Sequence, residues 1–197
     1  NLNVIEVKNP ATGSLIDTIP NSTVDDVVLT VNLAKTAQVK WEATPLHERA
    51  EILVKFAKLL KEEKEDLANI LSEESGKALK ESIEELEYLS ESVLLTVEGA
   101  KHLYGTAIPG GVEKSLSDSL QFSTREPLGV VGVILPYNFR MDLLAQKIIS
   151  ALIMGNAVIV KPSKKTPLAI TKIVYMLRQA GVYESVVQVI HGDGKTV

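Results

Sequence analysis

Asn138, Lys161 and Lys164 are the residues of this chain whose type and placing suit chemistry. Asn138 comes directly after an apolar run, Val130 to Leu135, and the break Pro136-Tyr137. Lys161 leaves a second such run, Ala157 to Val160, and opens the sequence Lys161-Pro162-Ser163-Lys164-Lys165. A side-chain amide at a strand exit can cap the next helix. It can also donate its N–H to a carbonyl oxygen that gains charge under nucleophilic attack. Lysines at such an exit either point to water or attract a phosphate. The chain contains 0 cysteines, which excludes disulfides, thiolate metal sites and a cysteine nucleophile among these residues. His47, His102 and His191 are scattered and lack metal-ligand spacing.

The elements that must carry these residues follow from pattern. Val130 to Leu135 is β-branched and apolar without alternation, as expected for a strand buried on both faces of a parallel sheet. Met141, Leu144, Ala145, Ile148 and Leu152 keep helical spacing to about Met154, and Gly155 stands where a helix C′ glycine belongs. Ala157 to Val160 predicts the next buried strand. Thr166-Pro167 then opens a helix as N-cap and first-turn proline, with Ile170, Ile173, Val174 and Leu177 as its stripe to Gly181. Val186 to Ile190 predicts a third buried strand, left through His191-Gly192-Asp193-Gly194. The order βαβαβ places the functional loops at the carboxyl ends of parallel strands.

The stretch EPLGVVGVILPYNF, with GNAVIVKPS and a downstream GDG, resembles the aldehyde dehydrogenase superfamily, whose usual forms are a P-W-N-F-P loop and a K-P-S-E loop. The resemblance covers the whole chain in order, with its sharp motifs in the latter third. It implies an NAD(P)-dependent oxidation of a small-molecule aldehyde to a carboxylic acid. On that basis Asn138 donates to the oxyanion, Lys161 and Ser163 belong to the adenosine side of the cofactor, and Leu135, Pro136, Tyr137 and Asn138 line the cleft, partly through backbone. Tyr137 replaces the usual tryptophan and keeps an aromatic wall. Lys164 stands where many NAD-preferring members carry glutamate, so the repulsion of a 2′-phosphate is gone and NADP as well as NAD is expected to bind. Arg140 replaces the usual proline; with Asp142 and Gln146 it hints at a polar or carboxylated aldehyde in a channel bordered by this helix. The resemblance also implies a cysteine and a glutamate, in family segments beyond Val197, that attack the aldehyde and activate water. The chain alone is therefore expected to be inactive.

Composition agrees with an ordinary globular protein: 197 residues, 45% hydrophobic, 23% charged and a net charge of −4. That balance argues against nucleic acid and against an anionic membrane as partners. No apolar run has the length of a membrane span, and the amino end lacks a signal-peptide layout, so a cytoplasmic setting is expected.

The expected fold class is α/β: an N-terminal helical layer, a partial doubly wound (Rossmann-like) parallel sheet and a small antiparallel β-hairpin. Residues 1–108 hold a hairpin around Asn9-Pro10-Ala11-Thr12-Gly13 and four amphipathic helices. The first helix is capped by Ser22 or Thr23, the second opens at Thr44-Pro45, the third ends at Gly76, and the fourth carries Glu81, Glu84, Glu85, Glu87 and Glu91 on what reads as a solvated face. Residues 109–127, from the turn Pro109-Gly110-Gly111 onward, read as a polar-faced hairpin turning near Asp118-Ser119. In the resembled family such a hairpin serves homo-oligomerisation, as dimer or tetramer. Residues 128–197 form the truncated βαβαβ. A sheet cut after its third strand, and a first residue that is not methionine, lead us to expect part of a longer polypeptide.

Gly192-Asp193-Gly194-Lys195-Thr196 is similar to a phosphate-binding loop of nucleotide hydrolases, but Val189 occupies the place of its first glycine and no helix can follow. A non-catalytic scaffold that keeps the dehydrogenase fold would also lack cysteine.

Overall fold

The computed structural model describes residues 3–111 and 113–194. β1 (Val4–Lys8) and β2 (Leu15–Pro20) form an antiparallel hairpin. Its turn is set by Asn9, whose Oδ1 accepts from the amides of Ala11 and Thr12 at 2.9 and 3.2 Å. Four helices follow: α1 (Val24–Ala43), α2 (Leu46–Glu62), α3 (Lys64–Ser75) and α4 (Leu79–Ala100). Thr23 caps α1 through a reciprocal capping box with Asp26. Gly76 ends α3 at φ +73, and a Cβ there would meet Pro10 Cγ at 2.9 Å, so both backbone and packing require glycine.

The small hairpin is shorter and wider than its pattern suggested. β3 (Ala107–Ile108) pairs with β4 (Gln121–Phe122), and a 3₁₀ turn, Lys114–Leu116, lies between them. Its first strand therefore starts before Pro109.

The remaining described residues build the parallel sheet. β5 (Val130–Ile134), β6 (Ala157–Lys161) and β7 (Val187–Val189) lie side by side in that order. Between β5 and β6 run α5 (Arg140–Leu144), a π turn over Ala145–Ile149, and α6 (Ser150–Ile153). α7 (Leu168–Ala180) links β6 to β7. The helix expected to be continuous is thus widened by one π turn. This keeps Leu144, Ala145, Ile148, Ile149, Leu152 and Ile153 all in the core.

α1 crosses all three strands, while α6 packs on β6 and α7 on β7; α2 packs on α6 and α7, α3 on α7, and α4 on α5 and α6. β6 is buried along Ala157–Val160, as a central strand between two helical layers should be. β5 departs from the expectation of burial on both faces. Only Val133 is fully buried within it, while Gly132 and Ile134 are exposed, because α1 leaves a cavity over that face of the strand.

Three side chains from the first two helices fix the end of α6. Trp41 Nε1 donates to the Leu152 carbonyl at 2.9 Å, Arg49 Nε to Ile153 at 2.9 Å, and Gln38 Nε2 to Gly155 at 3.2 Å. These carbonyls lie in the last turn of the helix or just past it, where backbone donors run out. Gly155, at φ +87, then turns the chain into β6. Asn156 completes the joint: Oδ1 accepts from Gly129 N at 3.1 Å, and Nδ2 donates to Ala151 O at 3.0 Å. The layout of β5, loop and β6 is therefore held from both ends of the chain.

Candidate functional site

At the carboxyl ends of β5 and β6 the last rung is a hydrogen bond from Leu135 N to Lys161 O, 3.0 Å. Beyond it the chain must leave the strand and enter α5 within four residues. It does so through Phe139, whose φ of 44 and ψ of 35 put a non-glycine residue in the left-handed region. This turn leaves Tyr137, Asn138 and Phe139 exposed, and the Asn138 amide has no hydrogen-bond partner among the described residues. Asn138 does not cap α5. The Met141 N–H at the start of that helix is met instead by Glu85 Oε1 from α4, at 3.2 Å.

Glu85 corrects the expectation of a wholly solvated glutamate face. Its side chain is only 10% exposed, and Oε2 sits 2.6 Å from Lys77 Nζ. Arg140 is 2% exposed and stands in the wall of the cavity at this turn. Its Nη1 donates to the Tyr137 carbonyl, whereas Nε and Nη2 are buried without a hydrogen-bond partner. Burial lowers its pKa, opposed by the charges of Glu74 and Glu85. Asp142 and Gln146 are joined outside, Gln146 Nε2 donating to Asp142 Oδ1 at 2.9 Å.

The lysine loop is organised by the same neighbours. Thr166 does not cap α7; its hydroxyl is buried without a partner. Glu74, at the end of α3, does the capping, accepting from Leu168 N at 2.7 Å and Ala169 N at 3.2 Å. Burial pushes its carboxyl up to about 7, against the pull of those two N–H donors and of Arg140. Within the loop, Ser163 Oγ accepts from Lys165 N at 3.3 Å. Lys165 Nζ lies 4.7 Å from the centre of the Tyr137 ring, and Lys77 Nζ 5.8 Å from that of Phe139, so each aromatic beside Asn138 carries an ammonium on its face.

Tyr137, Asn138 and Lys164 share one cavity of about 910 Å³, which also takes in Lys77, Lys165 and the β1 strand. Lys161 opens on a second cavity, of about 570 Å³, between α1 and the bare face of β5, together with Ile134, Ile159 and Ile190. Leu135 is 2% exposed, and neither it nor Pro136 or Ser163, which lie on the strand exits, lines either of these two cavities. His191, in the exit of β7, is buried; its Nε2 is 3.2 Å from Thr171 Oγ1. Burial, with the charge of Lys161, pushes it down to about 4, so the ring is neutral at pH 7. Lys195 and Thr196, the ends of the phosphate-loop reading, lie outside the described residues.

Sequence reasoning missed Glu74, Glu85 and Lys77 as parts of this region. One signal was present: an arginine between Phe139 and Met141, ahead of an apolar helix, needs carboxylate partners if that helix is buried.

Exposed polar loops at the carboxyl edge of a parallel sheet packed with helices are the layout of a doubly wound α/β protein. A profile of the Aldehyde dehydrogenase family matches residues 1–197. Malonate-semialdehyde dehydrogenase 1 of Geobacillus kaustophilus is 34% identical over 193 residues, 98% of this chain and 39% of that protein. 3-Sulfolactaldehyde dehydrogenase of Priestia megaterium is also 34% identical over 193 residues, 98% of this chain and 40% of its own length. Among solved structures, NADP-dependent glyceraldehyde-3-phosphate dehydrogenase from Bacillus halodurans, complexed with NADP, superposes with a TM-score of 0.94 at 35% identity. That match covers 98% of this chain and 40% of the other. The chain belongs to the aldehyde dehydrogenase family, and it spans about two fifths of the length of these relatives.

Proposed function

We propose that these residues are the cofactor-binding portion of an NAD(P)-dependent aldehyde dehydrogenase that oxidises a small aldehyde to a carboxylic acid. The observation that carries this reading is the unpartnered Asn138 amide, presented by the left-handed Phe139 turn into the same cavity as Tyr137 and Lys164. The volume suits a nucleotide-sized ligand. Lys161, which opens on the second cavity, and Ser163 and Lys164 on the loop that follows it hold the adenosine end, and Tyr137 with the backbone of Leu135 and Pro136 forms the wall. When bound, the nicotinamide supplies the hydride acceptor.

Asn138 donates its N–H to the substrate carbonyl oxygen as charge builds there. The exposed turn has no capping duty to divert it. The thiolate nucleophile comes from outside these residues, since they contain 0 cysteines. Lys165 beside the site favours an aldehyde that carries an anionic group, a feature in keeping with the names of the relatives. The exposed Ile108, Leu120 and Phe122 of the small hairpin suit a homo-oligomeric contact. No described helix is long and apolar enough to cross a membrane.

The test has two parts. The chain itself is titrated with NADP and NAD by calorimetry, and binding of at least one is expected. In the complete polypeptide, Asn138→Ala is expected to lower turnover by roughly 10²–10³ with cofactor affinity unchanged. Full turnover in that variant would remove Asn138 from the reaction. A complete polypeptide with no dehydrogenase activity would favour the scaffold reading.

A further inference from the structure

We propose that Glu85, held in place by Lys77, is the positioning residue that keeps the Asn138 amide free. Its effect on turnover rests on the reading of Asn138 as oxyanion donor. Its effect on the turn stands on geometry alone.

α5 begins with amides that need an acceptor. Leu143 N donates to the Phe139 carbonyl at 3.2 Å, so the amides of Arg140, Met141 and Asp142 come before the helix's own bonds start. Asn138 lies just ahead of them, and asparagine is a preferred residue for capping. Were it to cap, the helix would start one residue earlier, with Phe139 in its first turn at a negative φ. The observed turn is the alternative. Phe139 stands outside the helix at φ 44 and ψ 35, and Glu85 Oε1 reaches over from α4 to accept from Met141 N at 3.2 Å. Two arrangements of one turn thus compete, and they differ in which acceptor closes the helix. A left-handed phenylalanine is the costlier backbone, and its ring is exposed, so packing does not hold it there. The bond from Glu85 tips the choice.

That carboxylate is itself fixed. Its Oε2 accepts from Lys77 Nζ at 2.6 Å, in a pair that is mostly shielded from water. Lys77 is anchored in turn at the end of α3: its amide donates to Ser75 Oγ at 3.2 Å, and its carbonyl accepts from Ser72 Oγ at 2.6 Å. The same ammonium faces the Phe139 ring across the cavity wall, 5.8 Å from its centre. One lysine therefore orients the acceptor and meets the turn that the acceptor stabilises.

The consequence is a division of labour. An Asn138 whose oxygen caps α5 turns its amide toward the helix and away from the cavity. With Glu85 doing the capping, the whole Asn138 amide is left for a ligand.

The experiment is a double-substitution cycle on the complete polypeptide. Glu85→Ala removes the acceptor and is expected to lower kcat by roughly tenfold or more, the ratio of a charged hydrogen bond, with both KM values within about twofold. Glu85→Gln keeps an oxygen for Met141 N and is expected to recover at least about a third of the turnover. In an Asn138→Ala background, Glu85→Ala is expected to cost no more than about twofold further, since Glu85 acts only through that amide. If Glu85→Ala does not fold, Lys77→Met takes its place in the cycle, because it releases Oε2 and leaves α4 intact. Where Asn138→Ala itself lowers turnover, losses that multiply, or full turnover in Glu85→Ala, overturn the proposal. Full turnover in Asn138→Ala sinks the oxyanion reading alone, and a crystal structure of the Glu85 or Lys77 variant then decides the positioning. Phe139 at a negative φ, with Asn138 Oδ1 on an α5 amide, supports it; an unmoved turn overturns it.

Discussion

The indole of Trp41 and the guanidinium of Arg49 donate to successive carbonyls, Leu152 and Ile153, each at 2.9 Å. Two helices from the first quarter of the chain thus close the helix that precedes β6. Arg49 also reaches the carbonyls of Trp41, Glu42 and Thr44, so one buried side chain joins α1, α2 and α6.

Arg49→Leu keeps most of the packing volume and removes every one of those donors. Unfolding stability is expected to fall by about 3 kcal/mol, the cost of leaving buried carbonyls without partners. Chemical denaturation would check it, and a loss below about 0.5 kcal/mol would show that water takes over the donors' work.

Lys164→Glu addresses the choice of cofactor. Reversing this charge at the cavity rim restores the repulsion of a 2′-phosphate, and the NADP to NAD affinity ratio is expected to drop by roughly tenfold, equivalent to about 1.4 kcal/mol. Calorimetric titration with both cofactors measures it. An unchanged ratio would mean that Lys164 points to water in the complex.

Two buried groups pull the pH profile in opposite directions. Glu74 is pushed up from 4.5 to about 7, so it binds its proton more tightly folded than unfolded; its contribution is complete below pH 4.5 and lost as pH rises through 7. His191 is pushed down from 6.5 to about 4, so its contribution is present above pH 6.5 and lost as pH falls through 4. Between pH 4.5 and 6.5 the two slopes offset each other. Each is on the order of 3 kcal/mol. Glu74→Gln should expose the His191 slope, with melting temperature falling on acidification. His191→Gln should expose the reverse, with melting temperature falling as pH rises toward 7. Thermal melts across this range decide it, and flat profiles in both variants would count against both assignments.

Local pattern made the parallel sheet and its helices legible. Val158, Ile159 and Val160 are a buried strand because nothing polar interrupts them, and Gly155 ends a helix because its φ of +87 suits glycine. β5 was misread for the complementary reason. Its composition is that of an inner strand, but composition says nothing about which neighbour is present, and Ile134 is 72% exposed here. Asn138 could be singled out because its position after a strand is a local fact. Glu74 and Glu85 could not. Each becomes a site residue only through a partner far along the chain: Glu74 through Leu168 and Ala169, Glu85 through Met141. No period or propensity records such a pairing, and on a helix rich in glutamate the one that turns inward looks like the rest.

The stitching of α6 by Gln38, Trp41 and Arg49 also sets an order of events during folding. Those bonds span 117, 111 and 104 residues. α1 therefore emerges from synthesis long before the strands it covers exist, and its apolar side must wait. Closing loops of that size is slow relative to local helix formation. The loop edge of the sheet that carries Asn138 and Lys161 is consequently among the last parts of these residues to take shape. A nascent chain halted before β6 would show helices but no binding edge, with Trp41 still in water.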